Sequence, residues 1–107
     1  MDIEGWRTKI DELDRRLVEL LNERARAAQE IGRLKRNTQM PIYEPDREQQ
    51  IFENVQKANQ GPMPDSELRH IYERIIDVMR SLQREEISPK AKAAGQHDTE
   101  LDADMVD

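Results

Sequence analysis

The stretch NERARAAQEIGRLKR, residues 22–36, keeps the spacing of an amphipathic helix but places a charge on its apolar face. Three- and four-residue steps connect Arg24, Ala27, Ile31 and Leu34. This alternation marks a single face of a helix. A charged side chain is costly to bury unless another group pairs with it. The stretch therefore raises the question of what Arg24 binds.

The same apolar pattern continues without a break towards the amino terminus. Its earlier members are Ile3, Trp6, Ile10, Leu13, Leu17 and Leu20. Such a sustained heptad seam predicts one helix from about Ile3 to Arg36, roughly 50 Å long. A compact domain of this chain length has a radius of gyration of only about 13 Å. Two shorter helices of the same chain cannot cover such a seam, so we predict a homodimer.

Two further helices follow, which makes the predicted fold all-α with three helices, one long and two shorter. Pro45 suits the first position of the second helix, and Gly61-Pro62 closes it. The third helix is expected to open with Asp65 or Ser66 as its N-cap and to fade near Glu86. We predict a helical domain over residues 1–87 and an acidic, disordered tail over residues 88–107.

Composition excludes several classes of function. The chain has 107 residues, enough for one domain, and no cysteine for a disulfide or a thiolate metal site. His70 and His97 show no metal-ligand spacing, so we expect no metal site. A net charge of −6 argues against nucleic acid as a partner. Without an apolar stretch of membrane-spanning length, a soluble cytoplasmic protein is expected.

Several charges nevertheless fall on the inward faces. Arg24 and Lys35 are separated by about 20° of rotation and roughly 16 Å along the helix, so both could reach one small dianion. Arg7 lies about 25 Å from Arg24 along the axis and cannot reach the same ligand from the same chain. In an antiparallel dimer, Arg7 of the partner chain could do so. Arg47 and Glu48 share the apolar face of the second helix.

Each inward charge also has a structural interpretation. Arg24 is compatible with an ion pair to an acid across a dimer. Lys35 near a helix end could simply complement the helix dipole. Arg47 and Glu48 could be surface charges, and Gln83 alone carries no information. The functional interpretation is favoured by the combination, because there are too few inward acids to neutralise the inward cations.

Four segments, taken together, resemble the all-helical class of chorismate mutases. They are WRTKIDELD (6–14), LLNERARAAQEIGRLK (20–35), PIYEPDRE (41–48) and IIDVMRSLQ (75–83). The resemblance covers about residues 4–86 and preserves the order and spacing of the segments. It implies an intertwined, antiparallel homodimer with two equivalent sites and the Claisen rearrangement of chorismate to prephenate, a reaction that needs no metal and no cofactor. This is an isomerase step of the shikimate pathway in aromatic amino acid biosynthesis.

The resemblance also implies roles for particular residues. Arg24 would bind a substrate carboxylate, and the ether oxygen would accept hydrogen bonds from Lys35 and Gln83. Glu48 would receive the ring hydroxyl. Of the remaining positions that the resemblance assigns to substrate binding, Arg47 orients the site and Arg7 enters it from the partner chain.

Two positions depart from the family's pattern. Glu44 replaces a frequent aspartate, and glutamate is the poorer N-cap, so the local hydroxyl contact there is less secure. Met79 stands where relatives can carry a serine, which removes one possible contact to a carboxylate. Both positions remain in the predicted substrate-binding set.

Two other functions stay open at this level. An isochorismate pyruvate lyase on the same fold would use the same cations. A non-catalytic helical dimerisation module would need none of them for a ligand. The chain could also act alone, within a bifunctional enzyme, or in association with another shikimate-pathway enzyme.

Overall fold

The computed structural model describes residues 1–88, and this part of the chain consists of three α-helices without a strand. Helix α1 spans Ile3–Lys35, α2 spans Pro45–Ala58 and α3 spans Asp65–Ile87. The all-α prediction is confirmed. Apart from Ser88, the tail predicted for residues 88–107 lies outside the described residues.

Helix α1 begins and ends close to the predicted residues. The side chain of Asp2 caps its first turn by accepting a hydrogen bond from the backbone N–H of Gly5 at 2.8 Å. At the other end the carbonyl of Lys35 accepts hydrogen bonds from both the N–H and the hydroxyl of Thr38, at 3.0 and 2.9 Å. These bonds satisfy backbone groups that a helix end leaves free.

The start of α3 differs from the prediction by one residue. Pro64, not Asp65 or Ser66, is the N-cap, and its carbonyl accepts the N–H of Leu68 at 3.1 Å. Asp65 is already helical, and its carboxylate accepts a hydrogen bond from the side chain of Asn59 at 2.7 Å. Asp65, one of the two residues expected to cap α3, thus stabilises the preceding turn instead.

The connection between α2 and α3 depends on a glycine. Gly61 has φ of +76°, in the left-handed region that residues with a Cβ atom rarely adopt. Its N–H donates to the side-chain oxygen of Asn59 at 3.0 Å. Together these features reverse the chain direction within a few residues, so that α3 can pack against both α1 and α2.

Helix α3 lies unusually close to the carboxyl-terminal half of α1. A Cβ atom at Gly32 would lie only 2.9 Å from both the Cα and the carbonyl oxygen of Gln83. The buried apolar side chains of the described residues belong to this contact region: Ala28, Ile76 and Met79. Glycine at position 32 is therefore what allows Gln83 to approach the end of α1.

The amino-terminal part of α1 extends away from the other helices. Every residue from Met1 to Leu20 is exposed, except the half-buried Gly5. The seam residues of this segment are 44 to 69% exposed: Ile3, Trp6, Ile10, Leu13, Leu17 and Leu20. The described chain measures 53 × 31 × 23 Å with a radius of gyration of 16.6 Å, larger than the roughly 13 Å of a compact domain. One chain alone leaves its heptad seam uncovered, as the helix length predicted.

None of the helices in residues 1–88 combines the length and the apolar character that a membrane span requires.

Candidate active site

A pocket of about 310 Å³ lies between the carboxyl-terminal half of α1, the start of α2 and the carboxyl-terminal half of α3. This volume is at the lower end of the range for small-molecule sites, about 300 to 1,000 Å³. Its polar lining consists of Arg24, Lys35, Glu44, Arg47, Glu48, Arg80 and Gln83. Its apolar lining consists of Ala27, Ala28, Ile31, Ile42, Ile51, Ile76 and Met79.

Lys35 is the most deeply buried charge in this pocket, with its side chain 5% exposed. Its Nζ donates to the carbonyl oxygen of Pro41 at 2.9 Å, to Oε1 of Glu44 at 2.6 Å and to Oε1 of Gln83 at 3.1 Å. An ammonium group has three hydrogens, so all of them are used. Full pairing of this kind is what makes a buried charge tolerable.

The bond from Lys35 also orients the amide of Gln83. Because the amide oxygen faces Nζ, the NH₂ group at its other corner is left to donate elsewhere. Lys35 and Gln83 therefore form adjacent hydrogen-bond donors on one wall. They come from different helices, and the close approach at Gly32 brings those helices together.

Glu44 precedes α2 and makes no side-chain hydrogen bond that caps the helix. Its carboxylate turns instead to Lys35 and remains 35% exposed. The weak capping anticipated for glutamate at this position is confirmed. Met79 is buried at 6% exposure and contributes an apolar surface, with no polar atom for a ligand carboxylate.

The charges in the pocket do not cancel. The lining holds four cations and two carboxylates. Glu44 pairs with Lys35, and Glu48 pairs with Arg80, whose Nε lies 3.0 Å from Oε2. Arg24 and Arg47 form no ion pair with any carboxylate of residues 1–88, although Arg47 donates to the side chain of Gln50 at 2.7 Å. Two positive charges thus remain available to an anionic ligand.

Of the eight residues predicted for the site, seven line this pocket: Arg24, Lys35, Glu44, Arg47, Glu48, Met79 and Gln83. Arg7 does not. It lies on the exposed part of α1, where its Nη1 pairs with Oε1 of Glu4 at 2.8 Å and both side chains face solvent. The distance argument that separated Arg7 from Arg24 of the same chain agrees with this placement.

Sequence reasoning missed Arg80. This arginine lines the pocket and holds Glu48. A signal was present, because Arg80 precedes Gln83 by three residues and shares its face of α3. It was overlooked because it lies beside the apolar stripe of α3, where arginine is usually solvated.

The arrangement has a definite chemical capacity. Four cations and an amide surround an apolar floor within a small concave space. Donors fixed in such a place stabilise negative charge that develops on a bound molecule, because they need no rearrangement when the charge appears. A small dicarboxylate with an acceptor oxygen near Lys35 and Gln83 would match this lining.

Comparisons with known proteins agree with the geometry. The family model described as chorismate mutase type II matches residues 6–84. A bifunctional chorismate mutase/prephenate dehydratase of Aquifex aeolicus is 38% identical over 87 residues, covering 78% of this chain and 24% of that protein. A chorismate mutase of Methanocaldococcus jannaschii is 29% identical over 80 residues, covering 74% of this chain and 81% of that protein. The chain thus spans about a quarter of the length of the bifunctional relatives.

Solved structures show the same likeness. A chorismate mutase from Thermus thermophilus superimposes with a TM-score of 0.74 at 34% identity, covering 77% of this chain and 93% of that one. Chorismate mutase from Helicobacter pylori in complex with prephenate gives a TM-score of 0.72 at 29% identity, with 79% and 92% covered. By sequence and by fold, the chain belongs to the type II chorismate mutase family.

Proposed function

We propose that this chain catalyses the rearrangement of chorismate to prephenate. The observation that carries the proposal is the pairing of Lys35 with Gln83 on one wall, next to two arginines that have no carboxylate partner within residues 1–88. Family membership supports it, as does the Helicobacter pylori relative, which binds prephenate.

The charges of the substrate account for the unpaired cations. Chorismate carries two carboxylates, and Arg24 and Arg47 supply two positive charges that the pocket does not neutralise itself. In this proposal Arg24 binds one carboxylate, and Arg47 orients the substrate. The apolar floor around Met79 packs against the ring, while Glu48 accepts the hydrogen bond of the ring hydroxyl.

The rearrangement itself needs geometry and charge stabilisation. Holding the two ends of the substrate in a reactive geometry removes an entropic barrier. Electron density gathers on the ether oxygen as its C–O bond breaks, and donors placed there lower the barrier. We assign this role to the Nζ of Lys35 and the NH₂ of Gln83.

Lys35 must release one acceptor before it can donate to the substrate, because its three hydrogens are all engaged. The carbonyl of Pro41 is fixed by the backbone, and Gln83 is needed beside the ether oxygen. Glu44 is 35% exposed and can turn to solvent. In the proposed mechanism substrate therefore displaces the carboxylate of Glu44 from Nζ.

We propose further that the active unit is an antiparallel homodimer in which Arg7 enters the site of the partner chain. The uncovered seam along Ile3–Leu20 supports this assembly. The position of Arg7 on that same free segment supports the contribution in trans.

The proposal assigns the activity to residues 1–87, because the pocket extends only from Arg24 to Gln83. Deletion of residues 90–107 is therefore expected to leave turnover of chorismate within about twofold of the full chain, as for other changes away from a site. Steady-state rates of the two proteins would check this. A large loss on deletion would show that the tail takes part in the site.

The test of the activity is chorismate consumption followed by ultraviolet absorbance, with acid treatment to convert prephenate to phenylpyruvate. Phenylpyruvate is expected. A Lys35→Ala preparation, purified in parallel, controls for mutase from the expression host. Pyruvate release from isochorismate without phenylpyruvate would identify a lyase. A protein that acts on neither substrate and gains no thermal stability from prephenate would be a dimerisation module.

A further inference from the structure

Arg80 occupies an unusual position in the pocket wall. Its Nε lies 3.0 Å from Oε2 of Glu48, and its Nη2 donates to Oε1 of the same carboxylate at 3.4 Å. The Nη2 also donates to Asp77 at 2.9 Å, and the guanidinium lies 5.2 Å from the centre of the Tyr43 ring. Glu48 is thus engaged through both of its oxygens by one arginine.

The ion pair between Arg80 and Glu48 is held in place by neighbouring side chains and not by a well-aligned hydrogen bond from Nε. The Nε atom is buried, yet its N–H is not aligned for a hydrogen bond with any acceptor of residues 1–88. Asp77 and Tyr43 fix the guanidinium from outside the pocket, so that its charge stays beside Glu48. Arg80 therefore offsets the negative charge of Glu48, although its own Nε–H is left without an aligned acceptor.

The consequence concerns the other two arginines. Glu48 lines the same pocket as Arg24 and Arg47, both of which lack a carboxylate partner in the described chain. A free carboxylate in this space would be attracted to either cation. Pairing with Arg80 removes that competition.

We propose that Arg80 is a positioning residue that sequesters Glu48, so that Arg24 and Arg47 stay available to the two carboxylates of the ligand. The inference rests on the proposed function, because it concerns the same dicarboxylate site. Without Arg80, Glu48 turns into the pocket, neutralises one arginine and competes with the substrate. The main loss is then in binding, since the substrate carboxylates persist through the reaction.

The test is Arg80→Met, which keeps the apolar length of the side chain and removes the charge. We expect KM for chorismate, and Kd for prephenate by calorimetry, to rise roughly 10- to 100-fold, as when other side chains that orient a functional group are removed. The value of kcat should change much less. Arg80→Lys retains charge without the fork geometry and should recover part of the loss. Arg84→Met, one turn later on the exposed face of α3, is the matched control and should behave as the unmodified protein.

A double variant separates action through Glu48 from direct contact with the ligand. If Arg80 acts through Glu48, Arg80→Met combined with Glu48→Gln should be no weaker in prephenate binding than Glu48→Gln alone. Independent losses that multiply would overturn the inference, as would an unchanged KM in Arg80→Met. Should Arg80→Met fail to fold, Arg80→Lys against Glu48→Gln decides the same question.

Failure of the proposed function has a different signature. In that case the unmodified protein neither converts chorismate nor binds prephenate. The coupling of Arg80 to Glu48 would still appear as non-additive shifts of the thermal midpoint in the double-mutant cycle. If the protein converts chorismate but the shifts of the thermal midpoint are additive, the coupling of Arg80 to Glu48 is overturned and the proposed function stands.

Discussion

At the scale of single residues, the buried ammonium of Lys35 dominates the site. Its three hydrogen bonds explain why a charge with 5% exposure is stable there. We expect Lys35→Ala to lower kcat for chorismate by at least about 10²- to 10³-fold, the usual effect of removing one donor to a developing oxyanion. Steady-state kinetics, with circular dichroism to verify the helical content, would measure it.

Lys57 provides the matched control for that substitution. It lies exposed in the last turn of α2, outside the pocket, and Lys57→Ala should leave kcat unchanged. Near-normal turnover in a folded Lys35→Ala protein would contradict the role given to the ammonium, because no other side chain of the pocket could replace it beside Gln83.

At the scale of the helices, the contact between α1 and α3 sets the geometry of the donors. Gly32→Ala would place a Cβ 2.9 Å from backbone atoms of Gln83, which cannot move independently of α3. We expect a destabilisation of about 1 to 3 kcal/mol from overpacking. We also expect a fall in kcat of up to about 10²-fold, since a displacement near 1 Å is enough for such a loss. Thermal unfolding and kinetics on the same preparation would record both effects.

Gly5→Ala is the control for the helix propensity of alanine. A Cβ at Gly5 would lie 2.8 Å from the side chain of Met1 and 3.1 Å from Oδ1 of Asp2, and both of these exposed side chains can shift, unlike backbone. Normal or slightly raised stability is expected there, because alanine is favoured over glycine in a helix by about 0.5 to 1 kcal/mol. Full activity of Gly32→Ala would show that the spacing of α1 and α3 is not critical.

Helices are also the scale at which the sequence was most informative. The three- and four-residue periodicity predicted α1 to within one residue at its carboxyl end, and Pro45 predicted the start of α2. The N-cap of α3 was missed because the choice between Pro64 and Asp65 depends on Asn59, which binds Asp65 across the turn. Periodicity contains no information about a contact of that kind.

Most of the residues that line the pocket were also predictable from the sequence. Inward-facing charges and the family's motifs identified the residues that converge on the pocket, because helical spacing assigns them to known faces. Arg80 was not identified, since its orientation depends on Tyr43 and Asp77 as well as on Glu48. Side chains beside an apolar stripe can turn either way, and only the packed helices decide which way Arg80 turns.

At the scale of the whole molecule, the proposed contribution of Arg7 in trans can be tested with mixed dimers. Dimers of one Arg7→Ala chain and one Lys35→Ala chain would be purified through two different affinity tags. One site then combines an intact Lys35 with an intact Arg7, so we expect about half of the turnover per unmodified dimer, given twofold symmetry. Chorismate consumption by the purified mixed dimer is the measurement.

The control places one substitution on each chain, at two residues that both line the pocket of their own chain. Mixed dimers of Lys35→Ala and Gln83→Ala contain no intact site in any arrangement and should stay inactive. An inactive mixture of Arg7→Ala and Lys35→Ala would mean that Arg7 serves its own chain, and the antiparallel arrangement would then need revision. A fully active Arg7→Ala homodimer would mean that Arg7 serves no site.

The small core of the single chain has a consequence for how the protein is maintained in a cell. Among residues 1–88 the buried apolar side chains are Ala28, Ile76 and Met79, far less than a domain of this length needs to stay folded alone. In the proposed homodimer, folding and assembly become one concentration-dependent event, and the folded fraction rises with the amount of chain made. Enzyme activity would therefore rise faster than linearly with the amount of chain that the cell makes.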